Sequence, residues 1–221
     1  MKKQRTELKK ITVVAILCAV AFLCVFLFRF KVSFLTFDFK DAVLAVIGFL
    51  YGPVYALASA AIVSGIEFLS VSDTGVYGLI MNFLSSAAFA SVCGLFYRYK
   101  RTLSGAVIGS IFAVFVMTAV MLLANLFVTP FYMHVPRQVV IDMLPTLILP
   151  FNLLKGIVNA AITMLIYKPV SSVFKRMGLL ISGNKPTDKK SFVLTAVISL
   201  IVIALATFVI LFILEGKFEF I

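Results

Sequence analysis

Four polar side chains stand out in this sequence because each lies in an otherwise apolar stretch. Asn152 and Lys155 belong to Pro150-Phe-Asn-Leu-Leu-Lys-Gly156. They are three residues apart, so on a helix they share one face. Asn82 and Asn125 each sit near one end of a long uncharged run. An amide both donates and accepts hydrogen bonds, whereas an ammonium only donates. Together such groups could grip a ligand edge that alternates carbonyls and ring nitrogens. Two other uses fit the same residues: a snorkelling lysine, and asparagines that bond a neighbouring helix.

Chemistry of other kinds has no visible basis. There is no G-x-x-x-x-G-K-[ST] loop for ATP, no H-E-x-x-H for zinc and no G-x-S-x-G nucleophile elbow. The pair Asp38 and Asp41 has no partner base. Cys18, Cys24 and Cys93 all lie inside apolar runs without a C-x-x-C or Cys/His cluster, which reads as buried thiols. The single histidine, His134, reads as a loop residue. The expectation is a binding protein, not an enzyme, with no cofactor and no metal.

The elements that must position these residues follow from composition. Of 221 residues, 62% are hydrophobic and 13% charged, and mean hydropathy is +1.14. Ordinary soluble domains are about half apolar and a quarter charged, so such a chain cannot cover a water-facing surface. Disorder fails for the same reason. Nucleic-acid binding is a poor fit, because the 20 Lys and Arg are diluted among long uncharged runs. An integral membrane domain of several helices remains, since one crossing takes about 20 apolar residues.

Candidate spans are 11–28, 42–66, 76–97, 103–129, 144–167 and 192–214. The second is interrupted by Tyr51-Gly-Pro53, and Gly-Pro is a turn signal. Read as a turn, it gives seven spans with the N-terminus inside. Fourteen of the 20 basic residues then face the cytoplasm with only two acids, Glu7 and Asp188. Read as one helix, it places Arg98-Tyr-Lys-Arg101 opposite the basic N-terminus. The positive-inside rule favours the turn. Residues 41–70 make about 45 Å of helix, too little for two full crossings, so at least one of the two helices is short.

In this topology two long loops, 29–41 and 130–143, face outward. Asn82, Asn125, Asn152 and Lys155 lie at similar depth beneath them. The first loop carries Phe34, Phe37 and Phe39, which suit a flat aromatic ligand or anchor the loop at the membrane surface. The candidate ligand-binding residues are therefore Thr36, Phe37, Asp38, Asn82, Asn125, Asn152 and Lys155, with the Thr36–Asp38 loop closing above. Glu67 belongs either to the rim or to a helix cap. The expected organisation is a basic tail at 1–10, a six-helix body at 11–178, and a polar linker at 179–191. An added helix at 192–214 and an outer tail at 215–221 complete it.

These residues resemble a known family. The anchors are Leu35-Thr-Phe-Asp-Phe-Lys-Asp41, Tyr51-Gly-Pro-Val54, Met81-Asn-Phe-Leu84, Asn125-Leu-Phe-Val-Thr-Pro-Phe-Tyr132 and Pro150-Phe-Asn-Leu-Leu-Lys-Gly156. The chain is similar to the S components of energy-coupling-factor vitamin transporters, and within them to the riboflavin-specific type. The resemblance covers about residues 8–178. It implies an all-α membrane fold of six helices, with riboflavin as transported ligand. Its implied partners are a transmembrane T component, docked at Ala15 and Ala19, and two ATPases, in a bacterial plasma membrane. Two departures stand out. The 192–214 helix exceeds the six-helix pattern, and Ser64-Gly-Ile-Glu67 replaces a more Asn-rich stretch. Another vitamin or small molecule, or a ligand-free membrane scaffold, remains an alternative.

Overall fold

The computed structural model describes residues 2–179, 189–213 and 218–220. Helix α1 spans Lys2–Leu27. The expected basic tail is thus the opening of this helix. Its charged residues are good helix formers without a breaker, and Glu7 and Lys10 pair at 2.7 Å one turn apart.

A short hairpin follows, with β1 at Phe30–Val32 and β2 at Leu35–Phe37. Phe30 pairs with Phe37, Lys31 with Thr36 and Val32 with Leu35. The aromatic–polar alternation of this loop is the period-two pattern of a strand pair. Ser33 turns the corner at φ 59°. Val32, Leu35 and Phe37 are buried. A third strand, β3 at Phe218–Phe220, pairs antiparallel with the free edge of β1.

Helix α2 (Lys40–Tyr51) is the centre of the bundle. Every residue from Lys40 to Phe49 is buried, against α1, α7 (Leu149–Arg176), α3 (Pro53–Ser70) and α4 (Gly75–Tyr99). Its 12 residues rise about 18 Å, well short of a hydrocarbon core of about 30 Å. This is the short member of the pair expected from 41–70. Gly52 separates α2 and α3 at φ 95° and ψ 178°, a conformation that is in effect restricted to glycine. Pro53 then opens α3, where its missing N–H costs nothing. Near the same end, a Cβ on Gly48 would lie 2.6 Å from the Ala90 carbonyl oxygen, so α2 and α4 meet backbone to backbone.

Helix α5 (Leu103–Met133) runs through Pro130 and ends at His134, which takes the left-handed conformation at φ 54°. Most of the expected outer loop at 130–143 is therefore helical, because α6 (Arg137–Met143) fills the rest. A π-helical turn at Leu144–Ile148 leads straight into α7. Pro150 explains the wide turn. It lacks an N–H, and its ring would clash with the carbonyl four residues back in a regular helix. Five helical stretches among the described residues are long and apolar enough to cross a membrane: Gln4–Leu27, Pro53–Ser70, Gly75–Tyr99, Leu103–Met133 and Arg137–Arg176.

Helix α8 (Lys189–Ile213) is additional to this body and packs on α7. Its Ala206 joins Val32, Leu35, Phe37, Val140, Ile148, Phe151 and Val158 in a small apolar cluster under the hairpin. A larger cluster fills the bundle around α2. Most of the expected linker at 179–191, residue 214 and most of the tail at 215–221 lie outside the described residues.

Candidate functional site

The start of α2 is buried, so its first backbone N–H groups need partners that water cannot supply. Asp38 accepts from the Lys40 N–H at 3.1 Å. Asn159, reaching across from α7, accepts the Ala42 N–H at 2.9 Å and donates to the Asp38 carbonyl at 3.1 Å. These caps lock the hairpin's exit against α7.

The same carboxylate anchors two lysines. Asp38 Oδ2 lies 2.9 Å from Lys155 Nζ and 3.1 Å from Lys40 Nζ. Burial works against a charge on Asp38, but Lys155 and Lys40 outweigh it and hold the carboxyl well below the usual carboxylate range. Lys40 also meets Glu67 Oε2 at 3.0 Å. Glu67 Oε1 accepts from Asn82 Nδ2 at 2.8 Å. Asp41 accepts from the Ser86 and Ser85 hydroxyls. A continuous chain of alternating charges, Lys155–Asp38–Lys40–Glu67, therefore runs behind the site and ends in a hydrogen bond from Asn82.

In front of this chain lies a recess bounded by α4, α5, α7 and the hairpin. Helical spacing puts its walls in place. On α4, Gly78, Met81, Asn82 and Ser85 share one face, as do Met121, Asn125, Val128, Thr129 and Tyr132 on α5. Phe151, Asn152 and Lys155 face it from α7, just after the π turn. Phe34, Leu35 and Thr36 close it from the hairpin. Lys155 Nζ lies 3.3 Å from the Thr36 carbonyl oxygen, which ties hairpin to wall. On the far side, Arg29 donates to the Val71 carbonyl at 2.6 Å, and Lys31 pairs with Asp73.

Five of the seven residues expected from sequence thus line one recess: Thr36, Asn82, Asn125, Asn152 and Lys155. Two do not. Phe37 is 1% exposed, stacked on Phe30 at 4.9 Å and edge-on to Phe151 at 5.9 Å. In period-two alternation it faces the opposite side from Thr36. Phe34 and Phe39 both pack against the apolar cluster, and of the two it is Phe34 that also lines the recess. Asp38 sits behind Lys155 rather than beside the open space. Asn125 and Asn152 each donate to the carbonyl four residues back, Met121 on α5 and Ile148 at the end of the π turn, both at 2.8 Å. Thr129 in turn donates to Asn125 Oδ1 at 2.8 Å.

Sequence reasoning missed Lys40, Asp41 and Asn159 as members of this polar core. A signal for Asn159 existed: it lies four residues after Lys155, and seven after Asn152, on the same helical face. Nothing local marked Lys40, because a lysine at the edge of a loop ordinarily points to water.

The fold is a multi-pass helical membrane bundle around a polar-lined recess. A family model for the substrate-specific component of ECF transporters matches residues 9–167, and the chain belongs to this family. It is 31% identical over 180 residues to riboflavin transporter RibU of Staphylococcus aureus (strain TCH60), covering 76% of this chain and 94% of that one. It is 27% identical to riboflavin transporter FmnP of Bacillus subtilis (strain 168), covering 73% and 91%. A solved S component of a bacterial ECF transporter superposes with TM-score 0.65 at 30% identity, covering 77% of this chain and 99% of that chain. Helix α8 lies beyond the matched residues 9–167.

Proposed function

We propose that this chain captures riboflavin, or a closely related flavin, from outside the cell for ATP-driven uptake. The carrying observation is that Asn82, Asn125, Asn152 and Lys155, from three helices, line one recess in a chain whose relatives are riboflavin transporters. Lys155 spends two of its hydrogens on Thr36 and Asp38, which leaves a third for a carbonyl or ring nitrogen of the ligand. Thr36 and Phe34 cover it from the hairpin. Phe37 and Asp38 act one layer back, by holding the hairpin and Lys155.

The energy comes from separate chains, a transmembrane T component and two ATPases. The T component docks on the face of α1 that carries Ala15 and Ala19, both exposed. The N-terminus and the Arg98–Arg101 turn face the cytoplasm of a bacterium. Purification from cells supplied with riboflavin, followed by an absorbance spectrum, tests the ligand. A bound flavin spectrum is expected. A different bound compound would reassign the substrate, and repeated recovery of ligand-free protein that binds no added riboflavin would overturn the reading.

A further inference from the structure

Among the described residues, Glu67 and Lys40 are two of the most deeply buried charged ones, at 1% and 0% exposure, and neither lines the recess. Their place is behind Asn82, which does. A primary amide can point either end at a neighbour, so an asparagine in a binding site is ambiguous as a reader of ligands. Here the neighbour removes the ambiguity. Glu67 is paired with Lys40 at 3.0 Å and is therefore a carboxylate, which only accepts. It must face the amide's NH₂, and Nδ2 lies 2.8 Å from Oε1. Among the described residues no hydrogen bond ends on Asn82 Oδ1.

We propose that Glu67, itself held by Lys40, is a positioning residue that fixes the Asn82 amide so that this wall of the recess offers the ligand an acceptor. Another wall of the recess, on α7, offers the Lys155 ammonium, a donor. The two are joined at the back through Lys40 and Asp38. The site thereby selects a ligand edge with an N–H or O–H on one side and an acceptor on the other. An isosteric analogue with an acceptor in place of the donor meets oxygen against oxygen. This rests on riboflavin binding in the recess, as proposed above.

The test is a charge-conserving swap. Riboflavin affinity is measured by quenching of flavin fluorescence for the native chain, Glu67→Gln, Asn82→Asp and the double variant, with the melting temperature of each. Glu67→Gln frees the amide to rotate, and Asn82→Asp sets two carboxylates against each other. Each single change weakens binding by roughly 5-fold or more. In the double variant the introduced glutamine amide donates to the introduced carboxylate, whose other oxygen still faces the ligand as an acceptor. Affinity then returns to within about 3-fold of native, a non-additivity that marks a coupled pair. Should Asn82→Asp fold only together with Glu67→Gln, that rescue is the same coupling seen in the fold. A double variant no better than its worse single, in folding and in affinity, overturns the proposal. Failure of the native chain to bind riboflavin is a separate result and overturns the functional reading on which this one stands.

Discussion

Lys155 carries two loads, and a single substitution there mixes them. It faces the recess, and it neutralises a fully buried aspartate at 2.9 Å. Removing one partner of a buried ion pair typically costs about 3–5 kcal/mol. Lys40 remains on the same Asp38 oxygen, so Lys155→Met loses less than that. We expect Lys155→Met to lower both the melting temperature and riboflavin affinity. Adding Asp38→Asn restores part of the melting temperature but none of the affinity. Recovery of affinity in that double variant would mean that Lys155 serves the fold alone. Asn152→Leu has no ionic partner to orphan, so it reports on binding directly. A weakening of roughly 5- to 150-fold is expected for one unpaired ligand group. At this scale the sequence was legible where a polar residue interrupted an apolar run: Asn82, Asn125, Asn152 and Lys155 needed no tertiary information. Phe37 and Lys40 could not be read that way. Their roles depend on which face of a three-residue strand is covered and on where α2 begins.

The Gly52 turn does for α2 what a loop does elsewhere, in a single residue. A Cβ there would meet nothing within 4 Å, so Gly52→Ala isolates backbone conformation from packing. A non-glycine residue forced into this region costs about 1–3 kcal/mol. Melting temperature should fall accordingly, and exchange for Asn should be no better tolerated. An unchanged melt would show that the turn relaxes. Helix α1 offers a second test. Val13, Leu17 and Ala21 point into the bundle, whereas Ala15 and Ala19 look away from it. Replacing either alanine by Leu should abolish uptake in cells and leave riboflavin binding by the purified chain intact. Equal loss of both would assign that face to folding. Helix existence and the Gly-Pro break were readable from hydropathy and turn chemistry. The helical character of 130–143 was not. Pro130 and Pro136 signal breaks, yet Pro130 is accommodated near the end of α5 and Pro136 precedes α6. The strand pattern of 30–37 is only a few residues long and draws its stability from the apolar cluster beneath it.

Across the whole molecule, the charge asymmetry predicts an orientation that can be measured. With the N-terminus inside, Lys100→Cys should resist a membrane-impermeant thiol reagent in intact cells, and Glu219→Cys should react. Cys18 and Cys93 are buried and Cys24 is half-buried, so the labelling is done with Cys24 replaced by Ala. Labelling at 100 from outside would reverse the topology. The strand that carries position 219 has a further effect. The order β2-β1-β3 places the C-terminal strand on the edge opposite the one that carries Thr36. A protein fused behind β3 therefore starts from the cover of the recess, while one fused ahead of α1 starts some 26 residues of helix away from it. The choice of terminus for an affinity tag or fluorescent reporter is thus also a choice about the binding measurement. A bulky carboxy-terminal fusion would hang on the strand paired with β1 of that cover, and riboflavin affinities are properly compared on amino-terminally tagged protein.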